Sequence, residues 1–287
     1  MPEPMSGWTG LGVGDNPTSD NYFHKAEFSG DGCPDVLGRG NDNNLRYWPG
    51  NCDGSLDPAA SFGSWGAYNS MFTPGDLTLD GCADVVARSS GRLYYAAGNC
   101  QGGLASAVSF TGVGWNAYDA LMGPGYFDAH GCVGVMARAG NQLYYWSGYN
   151  PVTHRCEIGL WGPTPVGGSI WDLFSNIFGP GDLNDDGCAD VAARWGGDLW
   201  WWPGNCNGGV GTGTPFASGG WANYDFHMGP WDFNGHGCAD VIARQGSGLY
   251  RWAGSRDAQT GQCIPGLQDW APIGSTGWGN YNWLFAP

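Results

Sequence analysis

Short apolar segments alternate with polar, glycine-rich turns along the chain, and a pattern of four such segments repeats. In one copy the segments cover residues 71–77, 83–88, 92–97 and 107–113. The turn between its second and third segments reads Ser89-Ser90-Gly91, which suits a tight hairpin. Segments of this length, bounded by such turns, predict antiparallel strands rather than helices.

A Gly-Cys step marks each copy and gives the length of the repeat. Its cysteine lies at Cys33, Cys82, Cys132, Cys188 and Cys238, with spacings of 49, 50, 56 and 50 residues. A four-strand period of this length is typical of a propeller blade. The sequence therefore predicts an all-β fold, a five-bladed β-propeller of four-stranded antiparallel blades with one disulfide in each blade.

We expect one propeller domain over residues 1–287. Its repeats cover approximately residues 15–64, 65–114, 115–170, 171–220 and 221–277. Residues 278–287 repeat the opening of a blade, and residues 8–14 resemble the end of one. Residues 278–287 and 1–14 are therefore predicted to close the ring in a composite blade that hides the sheet edges, with either terminus able to supply either strand.

Ten cysteines, an even number, predict five disulfides and an oxidising compartment. In an up-and-down sheet the first and third turns lie at the same end, and each repeat places one cysteine in each of these turns. One pair per repeat is the simplest solution, and it gives Cys33–Cys52, Cys82–Cys100, Cys132–Cys156, Cys188–Cys206 and Cys238–Cys263. We expect a secreted, extracellular protein in its mature form, since residues 1–4 do not open a signal peptide. A cytosolic protein with free thiols is the alternative.

Residues 181–191, with the sequence GDLNDDGCADV, are followed by Arg194 and resemble the FG-GAP/VCBS type of propeller repeat. That repeat occurs in integrin α-chain heads, in secreted bacterial proteins and in mushroom propeller lectins. The resemblance covers almost the whole chain, implies the propeller fold and points toward lectin function. The chain departs from the family in its turn cysteines and in having fewer repeats than the integrin heads and mushroom lectins usually have.

Oxygen-bearing side chains recur in the loop around each Gly-Cys step. The spacing D-x-N-x-D-G-x-x-D offers several hard ligands around a sharp glycine turn, which is the donor set that calcium prefers. The candidate metal ligands are Asp182, Asn184, Asp186 and Asp190 in the fourth copy, with Asp76, Asp80 and Asp84 in the second. The alternative is that these side chains only hold the turn by accepting hydrogen bonds from backbone amides. Calcium is the one cofactor that the sequence suggests.

Two other copies depart from this donor set. The fifth copy places His236, a poor calcium ligand, where the fourth has Asp186. The third copy has Tyr126 and Gly134 in place of the end carboxylates, although it keeps its cysteine pair. This predicts that the disulfide, rather than a metal, is the feature that all blades share.

A Trp-x-x-Tyr motif precedes each first strand, and an arginine ends each second strand. The topology places both at the end of the blades opposite the disulfides. Indole and phenol rings stack on the apolar faces of sugars, and arginine binds hydroxyls or carboxylates. The candidate ligand-binding residues are Trp65, Tyr68, Arg88, Trp115, Tyr118, Arg138, Trp171, Arg194, Trp221, Tyr224, Arg244, Trp278 and Tyr281.

These side chains also have a structural interpretation. Large aromatic residues fill the space between propeller blades, and each arginine could pair with an aspartate of its own strand, such as Arg88 with Asp84. Most aromatic residues of the third strands, including those in residues 144–146 and 200–202, are expected to belong to the core between blades.

Charge and motifs exclude several classes of function. The net charge of −15 repels phosphate backbones, so nucleic acid is not an expected partner. No apolar stretch approaches 18 residues, so we expect no membrane insertion. None of the 5 histidines belongs to a recognisable nucleophile or metal motif, and we therefore expect no enzyme.

The hypothesis drawn from the sequence is a secreted, multivalent carbohydrate-binding protein whose partners are glycans or glycoconjugates. A repeated weak site gives avidity without one strong site. The alternative is a secreted protein-binding scaffold or inhibitor that uses the longer loops of repeats three and five, residues 149–155 and 255–262. A glycan-active enzyme is the less favoured third reading.

Overall fold

The computed structural model describes residues 27–274 and 276–286. Within these residues the chain forms five four-stranded antiparallel sheets, each of which is one blade. This confirms the predicted all-β, five-bladed architecture. Helical structure in the same residues is confined to four single turns, at Trp115–Ala117, Trp171–Leu173, Trp221–Asn223 and Trp278–Asn280.

The strands follow the chain in meander order. Blade one contains β1 (Val36–Gly40), β2 (Asn44–Trp48), β3 (Ala60–Ser64) and β20 (Tyr281–Phe285). Blade two contains β4 (Ser70–Gly75), β5 (Asp84–Ser89), β6 (Arg92–Ala96) and β7 (Val108–Ser109). Blade three contains β8 (Ala120–Met122), β9 (Val135–Ala139), β10 (Gln142–Asn150) and β11 (Arg155–Val166). Blade four contains β12 (Ser175–Phe178), β13 (Val191–Trp195), β14 (Asp198–Trp202) and β15 (Thr214–Ala217). Blade five contains β16 (Phe226–Met228), β17 (Val241–Gln245), β18 (Gly248–Arg256) and β19 (Cys263–Pro272).

The C-terminal strand closes the ring. Strand β20 pairs antiparallel with β1, with Leu37 opposite Phe285 and Gly38 opposite Leu284. It takes the position that β4, β8, β12 and β16 hold in the other blades, and these five strands line one central cavity. The C-terminus therefore supplies an inner strand. The predicted contribution of residues 1–14 lies outside the described residues.

Each blade contains one disulfide, as predicted. The bonds are Cys33–Cys52, Cys82–Cys100, Cys132–Cys156, Cys188–Cys206 and Cys238–Cys263. The two cysteines of a pair are 18 to 25 residues apart, so each bond closes a short loop inside its own blade. A crosslink of this kind stabilises the fold mainly by restricting the unfolded chain.

The hydrophobic core is divided among the blade junctions. At the junction of blades two and three, for example, Val86 and Leu93 pack in one cluster with Trp115 and Val135. The other four junctions have corresponding clusters. Because burial occurs between neighbouring sheets, each blade depends on the next for its apolar contacts.

A tryptophan pair is a main contact at four of the five junctions. In each pair the tryptophan of the single helical turn lies against a tryptophan of the third strand. The ring-centroid distances are 4.8 Å for Trp115–Trp146, 4.6 Å for Trp171–Trp202, 4.6 Å for Trp221–Trp252 and 4.5 Å for Trp278–Trp48. Blade two has Ala96 at the corresponding position, so Trp65 has no such partner there.

Candidate functional site

The five tryptophans of the predicted rim are buried. Their exposed fractions are 6% for Trp65, 8% for Trp115, 0% for Trp171, 5% for Trp221 and 5% for Trp278. The indole faces therefore contact neighbouring strands rather than solvent. This is the structural role that the sequence offered as the alternative to ligand binding.

Four of the five recurring arginines donate hydrogen bonds from one blade to the next. Arg88 donates hydrogen bonds to the backbone carbonyl oxygens of Trp115, at 2.9 Å, and Tyr118, at 2.6 Å. Arg39, Arg138 and Arg244 bind the carbonyl oxygens of the next Trp-x-x-Tyr or Trp-x-x-Phe motif in the same way.

The suggested pairing of Arg88 with Asp84 is wrong. The Asp84 carboxylate instead accepts hydrogen bonds from the backbone amides of Leu77, Thr78 and Gly98. Because Asp84 is fully buried, these amides supply the hydrogen bonds that its carboxylate loses on leaving water.

A second contact orients each of these guanidinium groups. Arg88 Nε donates to Asn69 Oδ1 at 2.9 Å, where Asn69 begins the inner segment of the same blade. The corresponding acceptors are Asn282 for Arg39, Asp119 for Arg138 and Asp225 for Arg244. The repeated arginine thus has a repeated acceptor that directs it toward the next blade.

Arg194 in blade four breaks this pattern. The acceptor position is occupied by Ser175, whose hydroxyl bonds to the Arg194 carbonyl oxygen. Arg194 Nη1 donates to the nearby Gly196 carbonyl oxygen at 2.7 Å, and Nε is buried without a partner among the described residues. Of the five recurring arginines, Arg194 alone makes no hydrogen bond to the next rim motif in the described structure.

Aromatic pairs lie above the buried tryptophans, and their members are half-buried except for the buried Phe174. Each pair joins the last residue of the rim motif to an aromatic residue of the third strand. The centroid distances are 5.8 Å for Tyr68–Tyr94, 6.3 Å for Tyr118–Tyr144, 6.2 Å for Phe174–Trp200 and 6.2 Å for Tyr224–Tyr250. At the fifth junction Tyr281 has Arg46 beside it instead.

The tyrosine hydroxyls of these pairs have no hydrogen-bond partner among the described residues. Burial raises the pKa of Tyr68, Tyr118 and Tyr224, so these phenols stay protonated and can donate. A half-buried ring with a free hydroxyl provides an apolar face and a polar edge at one place.

Burial differs among neighbouring aromatic and apolar residues of the third strands, most of which the sequence analysis assigned to the core. In β6, Leu93 is buried, whereas Tyr94 beside it is half-buried at the rim. In β14, Trp202 is buried but Trp200 is only half-buried. Trp202 therefore belongs to the core between blades, whereas Trp200 is partly buried and packs against the edge of that core.

The junction of blades three and four carries the most exposed aromatic surface of this series. Trp195, which the sequence analysis did not select, is 50% exposed, and its ring lies 5.5 Å from that of Trp200. The indole Nε1 of Trp200 is buried and has no partner among the described residues. Other repeats have Gly40, Ser89, Ala139 or Gln245 at the Trp195 position, a difference that alignment of the copies could have revealed.

The central cavity contains a pair of polar residues, Asn176 and His227, that the other blades do not repeat. Its volume is about 480 Å³, and its lining includes Asn176 and His227. Asn176 Nδ2 lies 3.0 Å from His227 Nδ1. Since the amide can only donate, Nδ1 accepts, and Nε2 carries a proton that is buried without a partner among the described residues. Burial and the nearby Arg194 lower the pKa of His227 to about 4.

The candidate calcium ligands of blade four do hold their turn. Asp190 accepts from the amides of Leu183 and Gly204, both at 2.8 Å, and Asp182 accepts from the Gly187 amide at 2.7 Å. Asp186 accepts from the backbone amide of the disulfide cysteine at 2.9 Å. These contacts match the turn-holding alternative.

The same loop also retains capacity for a cation. The Oδ1 atom of Asn184 is buried without a partner in the described structure. Burial raises the pKa of Asp182 to about 6 and that of Asp190 to about 8, and neighbouring carboxylates add to both increases. An unpaired amide oxygen beside carboxylates that resist ionisation fits a hard cation.

The corresponding loop of blade two has fewer oxygen atoms available for a cation. Asp76 accepts from the Gly81 amide and Asp80 from the amide of Cys82, while Asp84 is tied to three amides. Burial raises the pKa of Asp84 to about 6. In place of Asn184 this loop has Thr78, whose hydroxyl is 3.4 Å from Asp84.

Comparison with known proteins gives structural matches, of which one is a distantly similar lectin. No protein-family model matches the chain, and no curated protein matches it either. The fold resembles that of an Agrocybe aegerita lectin, described as recognising non-reducing terminal N-acetylglucosamine, with 15% identity and a TM-score of 0.47. The match covers 85% of this chain and 64% of the lectin chain. The FG-GAP/VCBS assignment therefore stays a prediction.

Among the described residues, no helix has both the length and the apolar character needed to cross a membrane. The five disulfides of the chain fit an oxidising compartment.

Proposed function

We propose that this protein is a secreted, multivalent carbohydrate-binding protein whose sites lie at the blade junctions. The observation that carries the proposal is the repeated aromatic pair at the rim, which in three of four copies carries tyrosine hydroxyls without a partner among the described residues. Such a pair matches a sugar ring, which has an apolar C–H face and hydroxyls at its edge. The contacting residues are then the rim aromatics, with the buried tryptophans supporting them from below.

The principal site of this proposal is the junction of blades three and four. Trp195 provides the open indole face, and Trp200 adds a second ring at 5.5 Å. The Nε1–H of Trp200 is buried, so a sugar would contact this residue through its half-buried ring rather than through that donor. The tyrosine pairs of blades two and three are weaker versions of the same site, because no exposed tryptophan of the described structure lies beside them, whereas the pair of blade five has Trp270 at 5.8 Å from Tyr250.

Multivalency follows from the repeat. Several weak sites on one face of a ring engage a branched glycan or a glycosylated surface together, and the second contact forms at high effective concentration. The net charge of −15 favours neutral glycans over phosphorylated or sulfated ones. The disulfides accord with secretion, since such bonds persist outside the cytosol.

Calcium in the loop of blade four belongs to the same proposal as a structural ion. Asp182, Asn184, Asp186 and Asp190 would hold it, and it would satisfy the unpaired Asn184 oxygen. The ion lies in a loop of the disulfide end, so its expected effect is on stability rather than on direct contact with a sugar.

A matched pair of exposed apolar side chains tests the glycan site. Trp195→Ala removes the open ring of the principal site, whereas Leu79→Ala removes a side chain of similar exposure, 57%, from the loop at the disulfide end of blade two. We expect Trp195→Ala to weaken glycan binding about tenfold, the loss of one aromatic platform, and Leu79→Ala to leave it unchanged. Glycan-array screening followed by calorimetry measures both affinity and stoichiometry.

The outcomes separate clearly once both variants are shown to fold. Equal glycan affinity in the wild type and Trp195→Ala would contradict the principal site. Binding of no glycan by the wild type would overturn the function itself.

Protein binding is the second candidate, and one observation favours it. The outer strands of the long hairpins in blades three and five expose Ile158 (43%), Ile264 (41%) and Trp270 (63%). Protruding loops carried by a rigid scaffold commonly contain binding residues. This candidate predicts one partner per chain and a loss of partner binding in Trp270→Ala but not in Trp195→Ala.

A further inference from the structure

One histidine and two aspartates converge in the loop before the disulfide of blade five. His236 Nδ1 lies 3.3 Å from Asp232 Oδ1 and 3.8 Å from Asp240 Oδ1. Ligand atoms of the three residues all lie within 4.8 Å of one another, and this is the only such group of His, Cys, Asp or Glu in the described residues. Asp240 is buried, while His236 and Asp232 are partly exposed, so an ion can reach the cluster.

The other nitrogen of the imidazole ring fixes its tautomer. His236 Nε2 lies 2.9 Å from the backbone carbonyl oxygen of Gly254, which can only accept a hydrogen bond. Nε2 therefore carries a proton, and the neutral ring directs the Nδ1 lone pair at the two carboxylates. Metal-binding histidines are commonly held in this way, with the distal nitrogen donating to a carbonyl or carboxylate.

A lone pair that faces two carboxylates is unfavourable unless a proton or a metal ion lies between them. The proton can reside on Nδ1 or on a carboxyl group, and a metal ion would be bound by all three groups. Asp232 Oδ1 accepts one backbone amide, from His236 at 3.0 Å, and Asp240 Oδ1 accepts one, from Gly254 at 2.9 Å. Each oxygen therefore keeps a second lone pair for a metal.

We propose that Asp232, His236 and Asp240 form a binding site for a divalent transition metal, and that zinc fits it best. Zinc takes imidazole nitrogen and carboxylate oxygen at about 2.0 Å in a tetrahedron, whose edge is then about 3.3 Å. The separation of His236 Nδ1 from Asp232 Oδ1 has this length, and a shift of about half an ångström brings Asp240 to it. Water supplies the fourth ligand.

Two other loops of the chain show why the site is specific to blade five. The loop of blade four has Asp186 in place of His236, which leaves an all-oxygen set suited to calcium. The loop of blade three keeps a histidine, His130, but has Tyr126 and Gly134 where the carboxylates lie in blade five. Imidazole nitrogen, the ligand that selects zinc over calcium, meets two carboxylates only in blade five of the described structure.

The metal-free chain, titrated with Zn²⁺ and separately with Co²⁺ in excess Ca²⁺, tests the proposal. Calcium occupies any all-oxygen loop, so the transition metal reports on the histidine site. We expect one equivalent of each metal per chain by calorimetry, and the visible absorption of tetrahedral Co²⁺. His236→Ala should weaken Zn²⁺ binding at least about tenfold, whereas His130→Ala, the matched control, should bind as the wild type does.

The result does not depend on glycan binding, so failure of one proposal leaves the other standing. If His236→Ala fails to fold, Asp232→Asn provides the second variant, and ¹⁵N NMR of the wild-type imidazole shows whether Zn²⁺ or a proton occupies Nδ1. Absence of Zn²⁺ binding by the folded wild type would mean that a proton alone fills the cluster. That outcome, or equal affinity in the His236 and His130 variants, overturns the proposal.

Discussion

Arg88 of blade two donates a hydrogen bond of 2.6 Å to the backbone carbonyl oxygen of Tyr118 at the entrance to blade three. The same guanidinium binds the Trp115 carbonyl oxygen at 2.9 Å. Four of the five arginines in this series make such a crosslink, and Arg194 does not. The ring is therefore held between blades by backbone acceptors as well as by apolar packing.

Replacement of Arg88 by alanine should destabilise the fold by about 2 kcal/mol, since it leaves two carbonyl oxygens without their charged donor. Arg194→Ala is the matched control and should cost less than about 1 kcal/mol, because its one hydrogen bond stays within its own turn. Urea unfolding of the two variants measures the difference. Equal losses would show that the bonds between blades add nothing to stability.

The disulfide of blade four should contribute about 3 kcal/mol, as expected for a crosslink across a loop of this length. Its cysteines are 18 residues apart, and the crosslink restricts the unfolded chain. Replacing both Cys188 and Cys206 by alanine should lower the free energy of unfolding by that amount without changing the sheet content. Chemical denaturation followed by circular dichroism tests this.

The pair Cys132–Cys156 provides the comparison for that experiment. Its separation is 24 residues, and loop-closure entropy grows only slowly with length, so its removal should cost nearly the same. A large difference between the two double variants would point to effects in the folded state instead.

The blades and disulfides could be predicted because their signals are local. The Gly-Cys step fixes the period, and each disulfide joins two turns of one hairpin meander, such as those of Cys82 and Cys100. The closing strand could not be assigned, because pairing of Leu37 with Phe285 joins opposite ends of the chain. Residues 278–287 do repeat the opening of a blade, but the sequence does not show that they pair with β1.

The candidate site was predicted only in part, since composition does not say which ring face stays open. Trp171 is fully buried, whereas Trp195 is 50% exposed, although both lie near the same junction. The aromatic motif lies in the connection before the first strand of its blade, where its sequence position places it. Two features decide which rings are exposed. The single helical turn buries Trp171, and only blade four has a tryptophan, Trp195, at the end of its second strand.

Calcium should stabilise the protein by about 2–3 kcal/mol at concentrations well above its dissociation constant, as linkage requires for an ion bound only to the folded state. Asn184→Ala should abolish most of this effect, because it removes the unpaired buried oxygen. Asn234→Ala, at the corresponding position of blade five, is the control and should keep it. Thermal unfolding in calcium or in chelator measures the shift.

The effect of calcium should also depend on pH. Burial raises the pKa of Asp190 to about 8, above its unfolded value of 3.8, so the folded state prefers the protonated acid. Without calcium, this contribution to stability is present below the unfolded pKa and is lost as the pH rises through about 8. Calcium binds the carboxylate, so its stabilising effect should be larger at alkaline than at mildly acidic pH. An effect that is equal across this range would argue against binding in the loop.

His227 should make the protein less stable as the medium becomes acidic. Burial, with Arg194 nearby, lowers its pKa from 6.5 to about 4, so the folded state prefers neutral imidazole. The unfolded chain binds the proton first, and stability is therefore full above pH 6.5 and falls as the pH drops toward about 4. A difference of this size corresponds to about 3 kcal/mol at the acid end.

His227→Asn isolates this contribution from the buried carboxylates, whose pKa values are shifted upward and act in the opposite direction. Asparagine can still accept from Asn176 through its amide oxygen but does not titrate, so the variant should lose less stability than the wild type between neutral pH and pH 4. Urea unfolding across this range, with NMR titration of the wild-type imidazole, provides the measurement. Parallel stability curves, or a ring that titrates near 6.5, would show that His227 is in contact with water rather than buried.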